Sequence, residues 1–249
     1  MRFVLVHGAN HGAWCWEYLA AELAGLGHET VAVDLPGHGS RAGERPTLGG
    51  YRDAVAEVIR PGDVLVGHSM GCVVATMAAD VRTDVGHVVY LAGPLPVEGW
   101  PILSVMGGGS ADPADALELI RSNSRLEPDG SAFSFGFEQA RLGFYGDCTD
   151  KMARWAYERL APQAISVLGE PVSVPRFWAA DLPRSYIGGV RDHLNPPLHS
   201  ALTAGRLGVD PLMIDSAHSP FLSRPAELAE LLLVATATRP RGPLRPTLH

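Results

Sequence analysis

The sequence Val64-Leu65-Val66-Gly67-His68-Ser69-Met70-Gly71 decides the fold class of this chain. A short apolar run leads into a Gly-x-Ser-x-Gly turn, and the small residues at 73–79 that follow are typical of a helix. This strand–turn–helix context holds a serine on a strained turn at the N-terminus of a helix, where its hydroxyl is exposed. The pattern therefore predicts Ser69 as a nucleophile, whereas a bare Gly-x-Ser-x-Gly match without these neighbours would say little.

Outward from this turn, short apolar runs alternate with longer helical patterns. The predicted strands are residues 3–6, 30–33, 64–66, 87–91, 185–187 and 212–214. The predicted helices are residues 14–26, 48–59, 70–81 and 226–234. Strands that alternate with helices indicate an α/β fold, in which helices cover both faces of a mostly parallel sheet of about six strands.

The alternation breaks after the fourth predicted strand, where glycine, proline and aromatic residues become dense. We interpret residues 94–180 as an inserted helical lid and residues 1–93 with 181–238 as the core. The alternative is a small subdomain with its own core. Within the lid, Trp100, Phe133 and Trp155 are predicted to line a substrate pocket, since such pockets are mostly apolar. The proline-rich residues 239–249 are predicted to be disordered.

The totals exclude several classes of protein. The chain has 249 residues and a net charge of −7 without a basic run, so it is not expected to bind nucleic acid. Its three cysteines, Cys15, Cys72 and Cys148, lack metal-type spacing and predict neither a zinc site nor a disulfide framework. The apolar run near Met1 is too short for a signal peptide or a membrane span, so a cytoplasmic protein without membrane attachment is expected.

A serine hydroxyl needs a base and the base needs an orienting acid, in the chain order serine, acid, histidine for this fold. His218 follows the last predicted strand and precedes the last helix, which is where the base is expected. Asp192 follows the strand before it and is predicted as the acid. Asp215 is the alternative acid, but it is only three residues from His218 in the sequence.

An oxyanion hole needs two backbone N–H groups. One is expected from Met70, which follows the nucleophile, and the other from Ala9 in the glycine-containing loop at residues 7–12. We refer to residues 7–12 as the oxyanion loop. Gly8 and His11 of this loop, together with Ser219 beside the base, are predicted to line the substrate pocket. A loop histidine such as His11 is more often a hydrogen-bonded strut than a catalytic group.

These blocks resemble the plant methylesterase and hydroxynitrile lyase family and its bacterial esterase relatives within the α/β hydrolases. The matching stretches are residues 3–9, 11–16, 34–39, 67–71, 186–192 and 217–221, and the segment between them matches only loosely. The resemblance implies a carboxylic ester hydrolase that acts on a small-molecule ester without cofactor or metal. It also implies Ser69, Asp192 and His218 as the triad. Cys72 departs from the family, which usually has a second glycine at this position.

Other functions stay open at this stage. A lyase could use the same triad to deprotonate a cyanohydrin, and a tailoring enzyme could act on a polyketide or similar scaffold. A binding protein that has kept the pocket without turnover is a third alternative. Neither the substrate nor the oligomeric state follows from the sequence, and a homodimer is one option. We expect a small or medium, largely apolar ester.

Overall fold

The apolar runs of the sequence form one parallel six-stranded sheet in the computed structural model, which describes residues 1–106, 114, 118, 121, 122 and 124–248. Its strands are Arg2–Val6 (β1), Glu29–Val33 (β2), Val64–His68 (β3), His87–Leu91 (β4), Arg184–Gly189 (β8) and Leu212–Ile214 (β9). Every pairing within it is parallel. The predicted α/β class and the six predicted strands are confirmed.

The strand order is β2-β1-β3-β4-β8-β9, so the chain reverses its direction of travel across the sheet between β1 and β3. Ligands of open parallel sheets bind beyond the carboxyl ends of the strands at such a reversal. The oxyanion loop leaves β1 and the Ser69 turn leaves β3 at this point. The topology therefore brings the two predicted parts of the site side by side.

Helices cover both faces of the sheet, and two hydrophobic cores lie between helices and strands. The core helices are Glu17–Gly25 (α1), Leu48–Ala56 (α2), Met70–Val81 (α3), Pro197–Leu207, Pro220–Ser223 and Pro225–Ala237. Helix α3 is buried along almost its whole length, which its small side chains allow. The Pro197–Leu207 helix is absent from the predicted elements, because its Pro196-Pro197 start is typical of a turn, although proline also fits the first turn of a helix.

The predicted lid lies between β4 and β8, but it is not purely helical. The helices with described bounds are Ile102–Met106, Phe137–Gly143, Asp150–Tyr157, Ile165–Gly169 and Pro175–Ala179. It also contains an antiparallel three-stranded sheet of Arg125–Leu126 (β5), Ala132–Ser134 (β6) and Gln163–Ala164 (β7). Gly130, with φ 71°, permits the turn between β5 and β6. Lid positions 107–113, 115–117, 119, 120 and 123 lie outside the described residues.

The segment predicted to be disordered packs against the body up to residue 248, and residue 249 lies outside the described residues. The amide of Arg241 donates to the Gly208 carbonyl at 2.7 Å, and the Arg206 Nε donates to the Thr247 carbonyl at 2.9 Å. Proline content suggested disorder, but buried arginines of the body hold the backbone carbonyls of this segment. The structure therefore differs from the prediction of a disordered tail.

Membrane-spanning helices need about 20 apolar residues. Within the described ranges, no helix reaches the length and hydropathy needed to cross a bilayer. The Pro225–Ala237 helix has 13 residues and packs against α1. It is therefore a core helix.

Candidate active site

Ser69 lies on a strained turn between β3 and α3. Its backbone has φ 51° and ψ −123°, a left-handed conformation that favours glycine. The turn is so tight that a Cβ at Gly67 would lie 2.5 Å from the Gly71 carbonyl oxygen, and one at Gly71 would lie 2.5 Å from the Val6 carbonyl oxygen. The two glycines are thus required for close packing, and Ser69 retains its strain because the surrounding backbone leaves no alternative.

The predicted base and acid form a buried pair. His218 follows β9, Asp192 follows β8, and the His218 Nδ1 donates a hydrogen bond to the Asp192 Oδ2 at 2.8 Å. The Asp192 Oδ1 accepts the amide N–H groups of Leu194 and Asn195, both at 2.9 Å. Burial raises the pKa of Asp192, but the neighbouring His218 and these hydrogen bonds outweigh it and hold the pKa below its ordinary value. The carboxylate therefore stays ionised, and its bond to Nδ1 fixes the orientation of the imidazole ring.

The other ring nitrogen of His218 is free for chemistry. Its Nε2 is buried and has no hydrogen-bond partner among the described residues, and His218 lines the same cavity as Ser69. The alternative acid, Asp215, has a side chain that is 69% exposed and forms an ion pair with Arg191 at 2.9 Å. Asp215 is therefore a surface residue, and the hydrogen-bond geometry favours Asp192 as the partner of the base.

The oxyanion loop approaches the nucleophile closely. Ala9 lines the cavity with Ser69, and Met70 is the first residue of α3, where the amide N–H has no partner within the helix. A Cβ at Gly8 would lie 2.9 Å from the Cβ of Ser69, which shows how near the loop backbone comes to the elbow. Ala9 and Met70 thus both lie beside Ser69, as their predicted role requires.

Two buried histidines shape this loop without lining the cavity. The His7 Nδ1 donates to the Gly8 carbonyl at 2.8 Å, and its Nε2 accepts the Leu35 amide at 3.2 Å. The His11 Nδ1 donates to the Ala9 carbonyl at 2.8 Å. Burial lowers the pKa of His7 to about 3 and that of His11 to about 4, so both rings are neutral at physiological pH. They are struts, as the sequence favours for His11.

The oxyanion loop is also bonded to the lid. The Asn10 side-chain amide donates to the Phe133 carbonyl at 3.0 Å and to the Ala161 carbonyl at 2.9 Å. The Tyr145 hydroxyl donates to the His11 Nε2 at 2.9 Å. Neither Asn10 nor Tyr145 is among the predicted site residues, because bonds between segments far apart in the sequence leave no local pattern.

His68, the residue before Ser69, is bonded to the backbone of His218. Its Nε2 donates to the His218 backbone carbonyl at 2.9 Å. Burial, reinforced by the nearby His218 and His11, lowers the pKa of His68 well below its ordinary value. The ring is therefore a neutral strut between the elbow and the loop that carries His218.

Cys72, which departs from the family pattern, packs beneath the elbow. Its Sγ–H donates to the Gly67 carbonyl at 2.9 Å, and burial raises the pKa of the thiol far above its ordinary value. A thiol with a raised pKa is a poor nucleophile. Cys72 is therefore a packing residue and no competitor of Ser69.

A cavity of about 590 Å³ opens above Ser69 and His218. One wall comes from the lid and is apolar, with Leu103, Val105, Met106, Phe133, Phe135 and Phe144. Another part of the lining comes from the Pro197–Leu207 helix, which we call the pocket helix. Its His199, Leu202, Thr203 and Arg206 line the cavity. The volume suits a small or medium ligand.

Five of the six predicted pocket residues do not line this cavity, and only Phe133 does. Trp155 packs instead on Trp14 and Tyr18, at centroid distances of 5.5 and 5.7 Å. Its ring therefore contributes to the packing of the lid against α1. Trp100 lies in the connection after β4, where its carbonyl accepts the Val172 amide at 3.0 Å.

The remaining three lie behind the cavity wall. Gly8 lies against the backbone side of Ser69 and has no side chain to present. His11 is only 1% exposed and is turned to the Ala9 carbonyl and Tyr145. Ser219 is completely buried at the start of a short helix, where its carbonyl accepts the Leu222 amide at 3.0 Å.

The pocket helix escaped prediction, although its pattern could have shown it. His199, Leu202, Thr203 and Arg206 have the spacing i, i+3, i+4 and i+7 of one helix face. Only Leu202 in this face is apolar, so the face does not give the hydrophobic signal of a core helix. Among the described residues, no group of three or more His, Cys, Asp or Glu side chains is placed to hold a metal ion.

Comparison with known proteins assigns the family. The sequence pattern of the alpha/beta hydrolase family matches residues 3–231. The chain therefore belongs to the alpha/beta hydrolase family. This agrees with the serine turn, the sheet order and the buried histidine–aspartate pair described above.

The relatives include named esterases. The chain is 30% identical to pheophorbidase from Raphanus sativus, over 95% of this chain and 94% of that protein. It is also 30% identical to a carbendazim hydrolyzing esterase from Nocardioides sp. (strain SG-4G), over 92% of this chain and 97% of that protein. These relatives confirm the resemblance to the esterases of this family.

A solved structure shows the same fold. It is an extracellular alpha/beta-hydrolase from a Paenibacillus species, described as sharing structural and functional homology with tobacco salicylic acid binding protein 2. It matches with a TM-score of 0.83 at 22% identity and covers 96% of this chain and 100% of that chain. At this identity the likeness shows the fold alone.

Proposed function

We propose that this chain is a serine carboxylic ester hydrolase, with Ser69 as nucleophile, His218 as general base and Asp192 as the orienting acid. The observation that supports this most directly is the 2.8 Å hydrogen bond between His218 Nδ1 and Asp192 Oδ2 at a cavity that Ser69 also lines. The bond fixes the tautomer in which Nε2 can accept a proton. The esterases among the relatives support the same reaction.

The first half-reaction forms an acyl-enzyme. His218 Nε2 takes the Ser69 hydroxyl proton while the Ser69 oxygen attacks the ester carbonyl carbon. The backbone N–H groups of Ala9 and Met70 stabilise the oxyanion of the tetrahedral intermediate. His218 then gives the proton to the leaving alkoxide, the alcohol departs, and Ser69 holds the acyl group as an ester.

The second half-reaction uses water. His218 takes a proton from water, the resulting hydroxide attacks the acyl carbon, and the oxyanion rests on the same two amides. Collapse returns the proton to the Ser69 oxygen and releases the carboxylic acid. Ionised Asp192 stabilises the imidazolium in both halves. The side chains and backbone amides named here carry out every step of both half-reactions, so the proposed mechanism needs neither a metal nor a cofactor.

The lid, residues 94–180, supplies the apolar wall of the cavity in this proposal, and the core carries the triad. A cavity of about 590 Å³ with this wall fits a small or medium, largely apolar ester. The lyase alternative gains no support from the site, because Gly8, the oxyanion-loop residue beside Ser69, presents no side chain to a leaving cyanide. The tailoring alternative has a relative in its favour, norfluorocurarine synthase 1 from Strychnos sp., whereas the named esterases among the relatives support ester hydrolysis.

The proposal is tested by covalent labelling and turnover together. A fluorophosphonate should modify Ser69, as identified by mass spectrometry of the digested protein, and should abolish hydrolysis of 4-nitrophenyl acetate in proportion to labelling. Ser69→Ala should resist labelling and lose about 10⁶ in turnover. Hydrolysis that survives complete labelling, or labelling of a different serine, contradicts the proposal. A protein that is labelled at Ser69 but hydrolyses no ester points to the binding function.

A further inference from the structure

One helix face contributes three polar side chains to the cavity lining. His199, Leu202, Thr203 and Arg206 follow one another at i, i+3, i+4 and i+7 along the pocket helix, and all four line the cavity. Three of these side chains can donate hydrogen bonds. The proposed reaction uses none of them, because the triad and the oxyanion hole lie on other elements.

The charge of this cavity is opposite to that of the protein. The whole chain has a net charge of −7, yet no Asp or Glu lines the cavity among the residues that the structure describes. Among the described residues, Arg206 is the only lysine or arginine in the lining. A fixed positive charge in a cavity without carboxylates attracts anions.

Arg206 is the fixed charge of this interior. It is 9% exposed, and its Nε, Nη1 and Nη2 donate to the backbone carbonyls of Thr247, Leu95 and Pro96 at 2.9, 2.9 and 2.6 Å. These carbonyls position the guanidinium, and Arg206 forms no ion pair within the described part of the chain. A guanidinium has five N–H donors, so two remain.

The guanidinium is ionised where the enzyme would work. Burial lowers the pKa of Arg206 to about 10, which still leaves it protonated at neutral pH. A buried cation without a carboxylate partner is costly to maintain and is stabilised by a bound anion. An anionic ligand would therefore give Arg206 an ion-pair partner that none of the described residues provides.

We propose that Arg206, with Thr203 and His199, forms an anion subsite that selects esters carrying a second, anionic group such as a carboxylate. The apolar body of such a substrate lies against the lid wall, its ester lies over Ser69, and its carboxylate lies against the pocket helix. The inference rests on the proposed ester hydrolysis and adds the substrate class: amphiphilic half-esters in place of neutral esters.

The first test is a pair of matched substrates. Mono-4-nitrophenyl adipate and suberate carry a terminal carboxylate, and 4-nitrophenyl hexanoate and octanoate are their neutral counterparts of equal carbon count. We expect kcat/KM to favour at least one half-ester over its neutral counterpart by about tenfold, mainly through KM, as for a charge-assisted hydrogen bond. A preference for the neutral ester in both pairs overturns the proposal.

The second test assigns the preference to Arg206. The ratio of kcat/KM between half-ester and neutral ester should fall to about one in Arg206→Gln and be largely kept in Arg206→Lys. Arg184 is a matched control, because it is 2% exposed, donates to three backbone carbonyls and does not line the cavity. Arg184→Gln should keep the ratio. A ratio that Arg206→Gln leaves unchanged overturns the subsite.

Thr203→Val and His199→Leu test the subsite independently if Arg206→Gln does not fold, and His199 is an exposed residue. Each should lower the ratio severalfold, and a ratio that neither variant alters overturns the subsite. Calorimetric titration of Ser69→Ala with adipate monomethyl ester separates the subsite from the reaction. Added to Ser69→Ala, Arg206→Lys should keep this binding and Thr203→Val should weaken it. That result supports the subsite even if the unmodified protein hydrolyses no ester, and only the proposed ester hydrolysis then fails.

Discussion

Gly8 and Ser69 lie so close together that a Cβ at Gly8 would be 2.9 Å from the Cβ of Ser69 and 3.0 Å from the His68 Nδ1. Neither atom is the end of a flexible side chain, so a larger residue at Gly8 has to move the backbone. The oxyanion loop can thus reach the nucleophile only because this position is glycine. Ala9, the next residue, is placed at the cavity by that approach.

Gly8→Ala should therefore reduce catalysis rather than binding. Displacing the oxyanion loop by about 1 Å would move the Ala9 amide away from the developing oxyanion, and we expect kcat for 4-nitrophenyl acetate to fall about 10²-fold. Gly25→Ala is the control, because a Cβ there would meet nothing within 4 Å. Equal kcat values in Gly8→Ala and the unmodified protein would contradict this account of the loop.

The strained backbone of Ser69 predicts that replacing this residue with glycine relieves strain and stabilises the fold while it abolishes activity. Glycine adopts φ 51° and ψ −123° without a Cβ penalty, whereas alanine keeps that penalty. Ser69→Gly should be more stable than Ser69→Ala by about 1 kcal/mol, and both should be inactive. Urea unfolding of the two variants measures the difference. A less stable Ser69→Gly would show that the turn is not strained.

Asp192→Asn should lower turnover roughly 10⁴-fold with little change in KM. The asparagine amide can leave His218 in the tautomer that has no free acceptor toward Ser69. Asp215→Asn is the matched control, since Asp215 is bonded to Arg191 at the surface and should lose little activity. The reverse pattern, with activity lost only in Asp215→Asn, would transfer the acid role to Asp215.

Buried neutral histidines predict a stability that declines in acid. Burial lowers the pKa of His7 to about 3 and those of His11 and His87 to about 4, while the unfolded chain titrates at the ordinary 6.5. The unfolded state therefore binds more protons below that value. Stability is complete above about pH 6.5 and falls as pH approaches about 4, by up to about 1.4 kcal/mol per pH unit for each histidine.

Urea unfolding at a series of pH values measures this slope. His87→Gln should reduce the slope of the unfolding free energy against pH by the contribution of one proton, because Gln does not titrate. The unmodified protein, unfolded over the same pH series, is the reference for this slope. A slope that is the same in His87→Gln would mean that His87 is not neutral in the folded protein.

Phe133 and Trp155 should differ in what they control. Phe133 lines the cavity, whereas Trp155 packs against Tyr18 of α1. Phe133→Leu should therefore alter the ranking of acetyl and bulky aryl esters by about tenfold in kcat/KM, and Trp155→Leu should lower only the melting temperature. Ratios of kcat/KM across an ester series, with thermal unfolding of both variants, test this. A shifted ranking in Trp155→Leu alone would contradict it.

Local signals predict most of the fold and the chemical centre but little of the pocket. The six strands and Met70–Val81 follow from apolar runs and small residues, and the bond between His218 and Asp192 agrees with their positions after strand ends. The pocket depends on where the lid lies across the core. The aromatic composition of the lid led to the choice of Trp155. Composition alone cannot distinguish a tryptophan that packs between helices from one that lines a ligand pocket.

Asn10 and Phe133 together restrict how substrate choice can diverge on this scaffold. The Phe133 carbonyl holds the Asn10 side chain at 3.0 Å, while the Phe133 ring lines the cavity. A lid transplanted from a relative would have to reproduce that backbone carbonyl to keep the reaction centre intact. Exchange of the ring leaves the carbonyl in place, so point substitution, rather than shuffling of whole segments, is the accessible evolutionary route to new substrates.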